Sequence, residues 1–234
     1  MLKIFDVYDI KARLSVVIIL MSPILMALYL QEKSIRNLSS TVIIVVVLLA
    51  ISNLFMIVIR HRGQKSYRKR DLVIDHLCPN DNRIDKATKF RLYAFLGKVD
   101  NAFLILSEQK DQQEPSTEFL AACESAVNWL KENSRESDIV NKENEMYGFC
   151  RNLLAIKPYG IAISIMMIMV HGFQFYMKFN LVFSTMTPEY MLSFLTTIIY
   201  FFVWVLVVRL ELLKLSANSY AEALICSFDR VRSN

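Results

Sequence analysis

A chain of 234 residues with 54% apolar residues, 21% charged residues and a net charge of +5 is too apolar for a disordered polymer, yet its charges must be gathered somewhere. Five glycines and five prolines exclude a collagen-like or low-complexity chain. The four cysteines (Cys78, Cys123, Cys150, Cys226) form no CxxC pair, and only His76 and Cys78 stand close together, so neither a disulfide framework nor a zinc site is expected, and no cofactor.

Residues 1–13, MLKIFDVYDIKAR, carry acidic residues ahead of the first apolar run, and no small-residue cleavage site follows Leu30. The run therefore reads as a retained helix rather than a signal peptide. Four blocks, 14–30, 41–59, 161–176 and 190–208, carry almost no charge and approach the roughly 20 residues that span a bilayer. The expected fold is an all-α membrane protein, with four transmembrane helices as two hairpins flanking a small helical cytoplasmic domain. Lys3, Lys11 and Arg13 precede the first block, Arg60 to Arg70 follow the second, Arg151 and Lys157 precede the third, and Arg209 and Lys214 follow the fourth. By the positive-inside rule both termini and the middle segment are expected to face the cytoplasm.

The middle segment, 60–158, starts with RHRGQKSYRKR and continues with helical patterns. Ile84, Thr88, Leu92, Phe95 and Val99 follow steps of three and four, as do Phe119, Cys123, Val127 and Leu130, with Ser116 placed to cap the second helix. SEQKDQQEPS reads as a loop, and a third helix from about Asp138 to Ile156 runs into YGFCRNLLAIKPYG, residues 147–160. There Pro158 and Gly160 are expected to interrupt the helix as an interfacial joint or plain turn, with Tyr159 as an aromatic anchor. After the last span, residues 209–234 are expected to extend that helix into the cytoplasm. Leu210, Leu213, Ala217, Tyr220 and Leu224 form a seam that serves either self-association or packing on the chain's own domain.

Three sets of residues are candidates for function. Arg60, Arg62, Lys65, Arg68, Lys69, Arg70, Arg151 and Lys157 form either a topology signal lying on anionic headgroups or, in a homo-oligomer such as a tetramer, a basin for an anionic nucleotide or oligonucleotide. Tyr67, Trp129 and Tyr147 are available to stack on its bases. Within the spans, Ser164, His171, Gln174 and Asn53 either tie helices together or line a hydrated pore of low selectivity. RDLVIDH, Arg70 to His76, matches the loose Arg-x5-His pattern of HEPN ribonucleases. No other catalytic constellation stands out, and the expected protein is not an enzyme.

With FDVYDIKARL (5–14) and YGFCRNLLAIKPYG (147–160), the layout of two hairpins around a compact domain resembles membrane effectors of bacterial anti-phage defence operons. It is most similar to the effector of Hailong-type systems, with the four-helix membrane subunit of Kiwa a second likeness. The resemblance implies an oligomeric channel-like effector in the lipid bilayer of the bacterial inner membrane that depolarises it on infection, gated by a ligand on the basic cytoplasmic face and paired with an operon partner such as a nucleotidyltransferase whose DNA oligomer holds it inactive. The alternative from the residues alone is a non-conducting membrane-anchored module that recruits a cytoplasmic partner.

Overall fold

The structure, a computed structural model, describes residues 8, 10–32, 57–58, 61–62, 73–110 and 114–233. All regular structure among them is helical. The chain divides into two compact units, Met1–Ser66 with Gly148–Leu212 and Tyr67–Tyr147 with Leu213–Asn234, called here the apolar and the polar unit.

Three helices are long and apolar enough to cross a membrane: Lys11–Gln31, Asp138–Phe179 and Pro188–Val207. They contain the first, third and fourth apolar blocks. The second, 41–59, lies outside the described residues apart from Ile57 and Val58. Within the apolar unit, α1 (Ser15–Gln31) follows a π-helical turn at Ile10–Leu14. The unit also holds most of α5 (Asp138–Phe179) and all of α6 (Pro188–Phe202), which passes into a second π-helical turn at Val203–Val207. Thr187 caps α6 by accepting from the Tyr190 N–H, and Pro188 fits the first turn, where its missing N–H removes no bond.

The core of this unit joins Val16, Val17 and Leu20 of α1 to Leu153 and Ile156 of α5 and to Trp204 and Val208. Large apolar side chains point the other way: Met169, Phe173 and Tyr176 on α5, and Leu195, Ile199 and Phe202 on α6, are all exposed. Large apolar side chains turned outward over most of a unit's surface is the arrangement of helices solvated by lipid.

Pro158 does not end α5, which continues through it to Phe179. The expected interruption is absent because packing holds the helix on both sides of the proline. Leu153 and Ile156 are in the core before it, and Gly160 lies against the indole of Trp204 after it. A proline costs one backbone hydrogen bond, and a packed helix can absorb that loss.

The polar unit is built from the turn Ile74–Leu77, α2 (Lys86–Val99), α3 (Leu104–Glu108), α4 (Thr117–Asn133), residues 138–147 of α5, residues 213–226 of α7 (Leu210–Cys226) and α8 (Phe228–Ser233). Asp85 accepts from the Thr88 N–H at 3.0 Å and Ser116 from the Phe119 N–H at 3.1 Å, so α2 and α4 each begin at a side-chain cap. Phe119, Cys123, Val127 and Leu130 are buried as their spacing requires, against Leu92, Tyr93 and Leu96 of α2.

The C-terminal segment is helical, though not continuous with the last span. Val208 and Arg209 separate the π-helical turn from α7. Tyr220, Ala221, Leu224, Ile225 and Phe228 then enter the core of the polar unit. Of the sequence seam, Leu213, Ala217, Tyr220 and Leu224 are buried within one chain and Leu210 is exposed.

Candidate functional site

In YGFCRNLLAIKPYG, Gly148, Asn152, Lys157, Tyr159 and Gly160 each meet a specific neighbour in the apolar unit. Gly148 leaves room for the Tyr8 hydroxyl, which a β-carbon would strike. Asn152, 1% exposed, donates from Nδ2 to the carbonyl of Ala12 at 2.8 Å. Lys157 donates from Nζ to the Val208 carbonyl at 2.7 Å and reaches the Val205 carbonyl at 3.4 Å. Those acceptors lie where α6 gives way to the π-helical turn and then to a break, so helical bonding does not fully use them. Arg62 places its guanidinium 4.8 Å from the centre of the Tyr159 ring. The stretch gathers the start of α1 and the end of the last apolar helix around one segment of α5.

A second polar cluster lies further along α5. His171, fully buried, has Nε2 3.2 Å from Thr197 Oγ1 and 3.4 Å from Ser193 Oγ, while Nδ1 is 3.5 Å from Gln31 Nε2. Gln31 Nε2 also donates to Ser193 Oγ at 3.2 Å, and Tyr190 donates its hydroxyl to the His171 carbonyl at 2.6 Å. One imidazole thus links α1, α5 and α6. Ser164 is buried too, but its hydroxyl returns to the Gly160 carbonyl of its own helix at 2.8 Å. Beside the cluster, a cavity of about 190 Å³ has Ile24, Ala27, Met167 and Val170 on its apolar side and Gln31, Glu32, His171 and Gln174 on its polar side. Gln174 Oε1 is buried there without a hydrogen-bond partner.

The remaining candidates scatter. Arg60, Lys65, Tyr67, Arg68, Lys69, Arg70 and Asn53 lie outside the described residues. Arg151 is half-buried in the apolar unit. Trp129 meets Phe95 edge-on at 5.7 Å against the core of the polar unit, and Tyr147 stacks on Tyr220 at 5.8 Å. These two rings therefore already have aromatic partners. His76 is 4% exposed, with Nδ1 3.1 Å from Asp81 Oδ2 and Nε2 2.8 Å from Asn218 Oδ1. Both ring nitrogens are engaged inside the fold, where a polynucleotide has no access.

The sequence did not single out Lys89, which is fully buried in the polar unit. Its ammonium donates to the carbonyls of Cys78 at 2.7 Å and Asp81 at 2.6 Å, with Asp81 Oδ1 at 4.0 Å. Burial lowers its pKa, and the Asp81 carboxylate works in the opposite direction. Lys89 sits one position after Thr88 on the buried side of α2, where its charge hid it from a search for apolar periodicity.

Comparison with protein-family models, with curated protein sequences and with solved structures finds no match to this chain.

Proposed function

We propose that this is a membrane-anchored interaction module: the apolar helices hold it in a bilayer, and the polar helical unit binds a cytoplasmic partner. The observation that carries this reading is the His171 cluster. The polar side chains of α5 and α6 face one another within a single chain and bond Gln31, Ser193 and Thr197, which is how polar groups join helices in lipid. Helices so joined need no aqueous pathway to solvate them. Two helices in the second unit begin at side-chain caps and bury an apolar core, giving a compact body suited to recognition.

A second reading, the oligomeric ligand-gated pore of a defence effector, is favoured by one feature. The cavity beside His171 has a carboxylate, two carboxamides and an imidazole along one side, and Gln174 Oε1 lacks a protein donor there. Water could supply that donor.

The two readings separate in cells. On high expression of correctly inserted protein, a membrane potential indistinguishable from that of an empty-vector strain is expected for the module. Depolarisation that disappears in the double variant His171→Leu, Gln174→Leu, with membrane level unchanged, would establish the pore instead.

A further inference from the structure

The cavity beside His171 is lined from α1, the residue after it, and α5, all within the apolar unit, and its two sides differ in chemistry. Ile24, Ala27, Met167 and Val170 offer nothing to a polar group. The other side is rich in acceptors. Gln174 Oε1 is buried without a hydrogen-bond partner, and a carboxamide oxygen only accepts. Gln31 spends its Nε2 on Ser193 Oγ, so what it still has to offer is its carbonyl oxygen. Both ring nitrogens of His171 already lie within hydrogen-bond distance of Gln31, Ser193 and Thr197. Glu32, directly after α1, brings a carboxylate, and no lysine or arginine lines the cavity to balance it. A single water satisfies Gln174 but does not suit the whole space, because a buried water needs about two to four polar partners and most of the lining is apolar. Leu28, Val170 and Glu32 line the cavity and are exposed, so it opens to the surface between α1 and α5.

We propose that this cavity is a binding site for a primary ammonium carried on a short apolar stem. A primary ammonium has three N–H donors and no acceptor, which matches the acceptor-rich side. It places one donor on the Glu32 carboxylate and another on Gln174 Oε1, while the stem lies against Ile24, Met167 and Val170. A volume of about 190 Å³ admits a stem of roughly six carbons, since a cavity of about 150 Å³ holds benzene. Selectivity follows from the same groups. A quaternary ammonium has the charge but no N–H, and an alcohol has one donor but no charge. The ammonium arrives either as the head of an aminophospholipid or on a free alkylamine, and the cavity recognises what the two share. Once bound, it ties the end of α1 to α5 beside the Gln31–Ser193 and His171–Thr197 bonds. The site belongs to the apolar unit alone, so it holds or fails apart from the recruitment of a partner by the polar unit.

The test uses the full chain in phosphatidylcholine nanodiscs, with tritiated hexylammonium as the probe and the uptake of empty discs subtracted. Saturable binding of about one probe per chain is expected, with hexyltrimethylammonium and hexanol each displacing it about tenfold less effectively. Glu32→Gln, at an exposed position just past α1, should weaken binding about tenfold with the unfolding temperature unchanged, and Gln174→Leu should weaken it as well. Equal affinity in wild type and Glu32→Gln would overturn the proposal. So would equal displacement by hexyltrimethylammonium, or uptake no greater than that of empty discs. Repeating the titration in discs that also contain phosphatidylethanolamine separates the two sources. Weaker hexylammonium binding there would show the ammonium arriving on a lipid head, and unchanged binding would make a free amine the ligand; both uphold the site.

Discussion

Gly160 offers the sharpest test of the packing described for the apolar unit. A β-carbon built there falls on three atoms of the Trp204 ring, and Trp204 is fully buried, with Val16, Val17, Leu20 and Val208 in the same core. Changing glycine to alanine inside a helix ordinarily stabilises by about 0.5–1 kcal/mol. Forcing a methyl into a filled core costs about 1–3 kcal/mol, because the indole has nowhere to withdraw. Gly172, on the same helix, has no atom within 4 Å of the position its β-carbon would take, so alanine there should yield only the gain. The two variants share chemistry and helix, and their difference isolates the clash at about 1–3 kcal/mol. Thermal unfolding of the full chain in one detergent should place Gly160→Ala below Gly172→Ala, at roughly 2–4 °C per kcal/mol for a chain of this size. Trp204→Phe, which withdraws part of the ring, should recover much of the loss in the Gly160→Ala background. Equal transitions for the two alanine variants would refute the contact.

Lys89→Met keeps the stem but leaves the carbonyls of Cys78 and Asp81 without the ammonium; a loss of about 2–5 kcal/mol is expected, read by hydrogen exchange of peptides covering 71–100 in the full chain, and protection equal to wild type would contradict it. Lys157→Met should destabilise by about 1–3 kcal/mol in thermal unfolding through the freed Val208 carbonyl, whereas a purely electrostatic role on anionic lipid would leave stability unchanged and alter only salt dependence. Burial works to raise the Asp81 pKa, but hydrogen bonds from the Arg83 N–H and from His76 prevail and lower it below the ordinary 3.8. A depressed carboxylate contributes stability above its unfolded value that disappears as pH falls through the folded one, so protection of segment 73–100 should weaken below about pH 4. Asp81→Asn should shrink that acid-dependent loss, and an identical pH profile would show that the bonds to Asp81 carry none of it.

The apolar helices are legible as long runs almost without charge, and the buried faces of α4 and α7 through their spacing. Burial of one stripe imposes steps of three and four, and Phe119, Cys123, Val127 and Leu130, or Leu213, Ala217, Tyr220 and Leu224, display them. Pro158 misled because local preference favours a break there, while tertiary contacts at Leu153, Ile156 and Gly160 outweigh one missing hydrogen bond. Lys89 was invisible because a lysine normally reads as surface, and only the geometry of the turn before α2, with two carbonyls aimed at one point, makes it a core residue. His171 was legible as a polar group in an apolar run. Ser193 and Thr197 were legible in the same way, as polar groups of the last apolar run, but Gln31 was not, and which groups would meet depends on helix rotations that no pattern specifies.

On the proposed reading, the polar residues of the apolar helices join them to one another and conduct nothing. Ionic current through planar bilayers containing the purified full chain tests it most directly. The account predicts a baseline equal to that of protein-free bilayers, and equally flat traces for His171→Leu. Discrete openings in the wild-type protein that vanish on replacing His171 or Gln174 would contradict it.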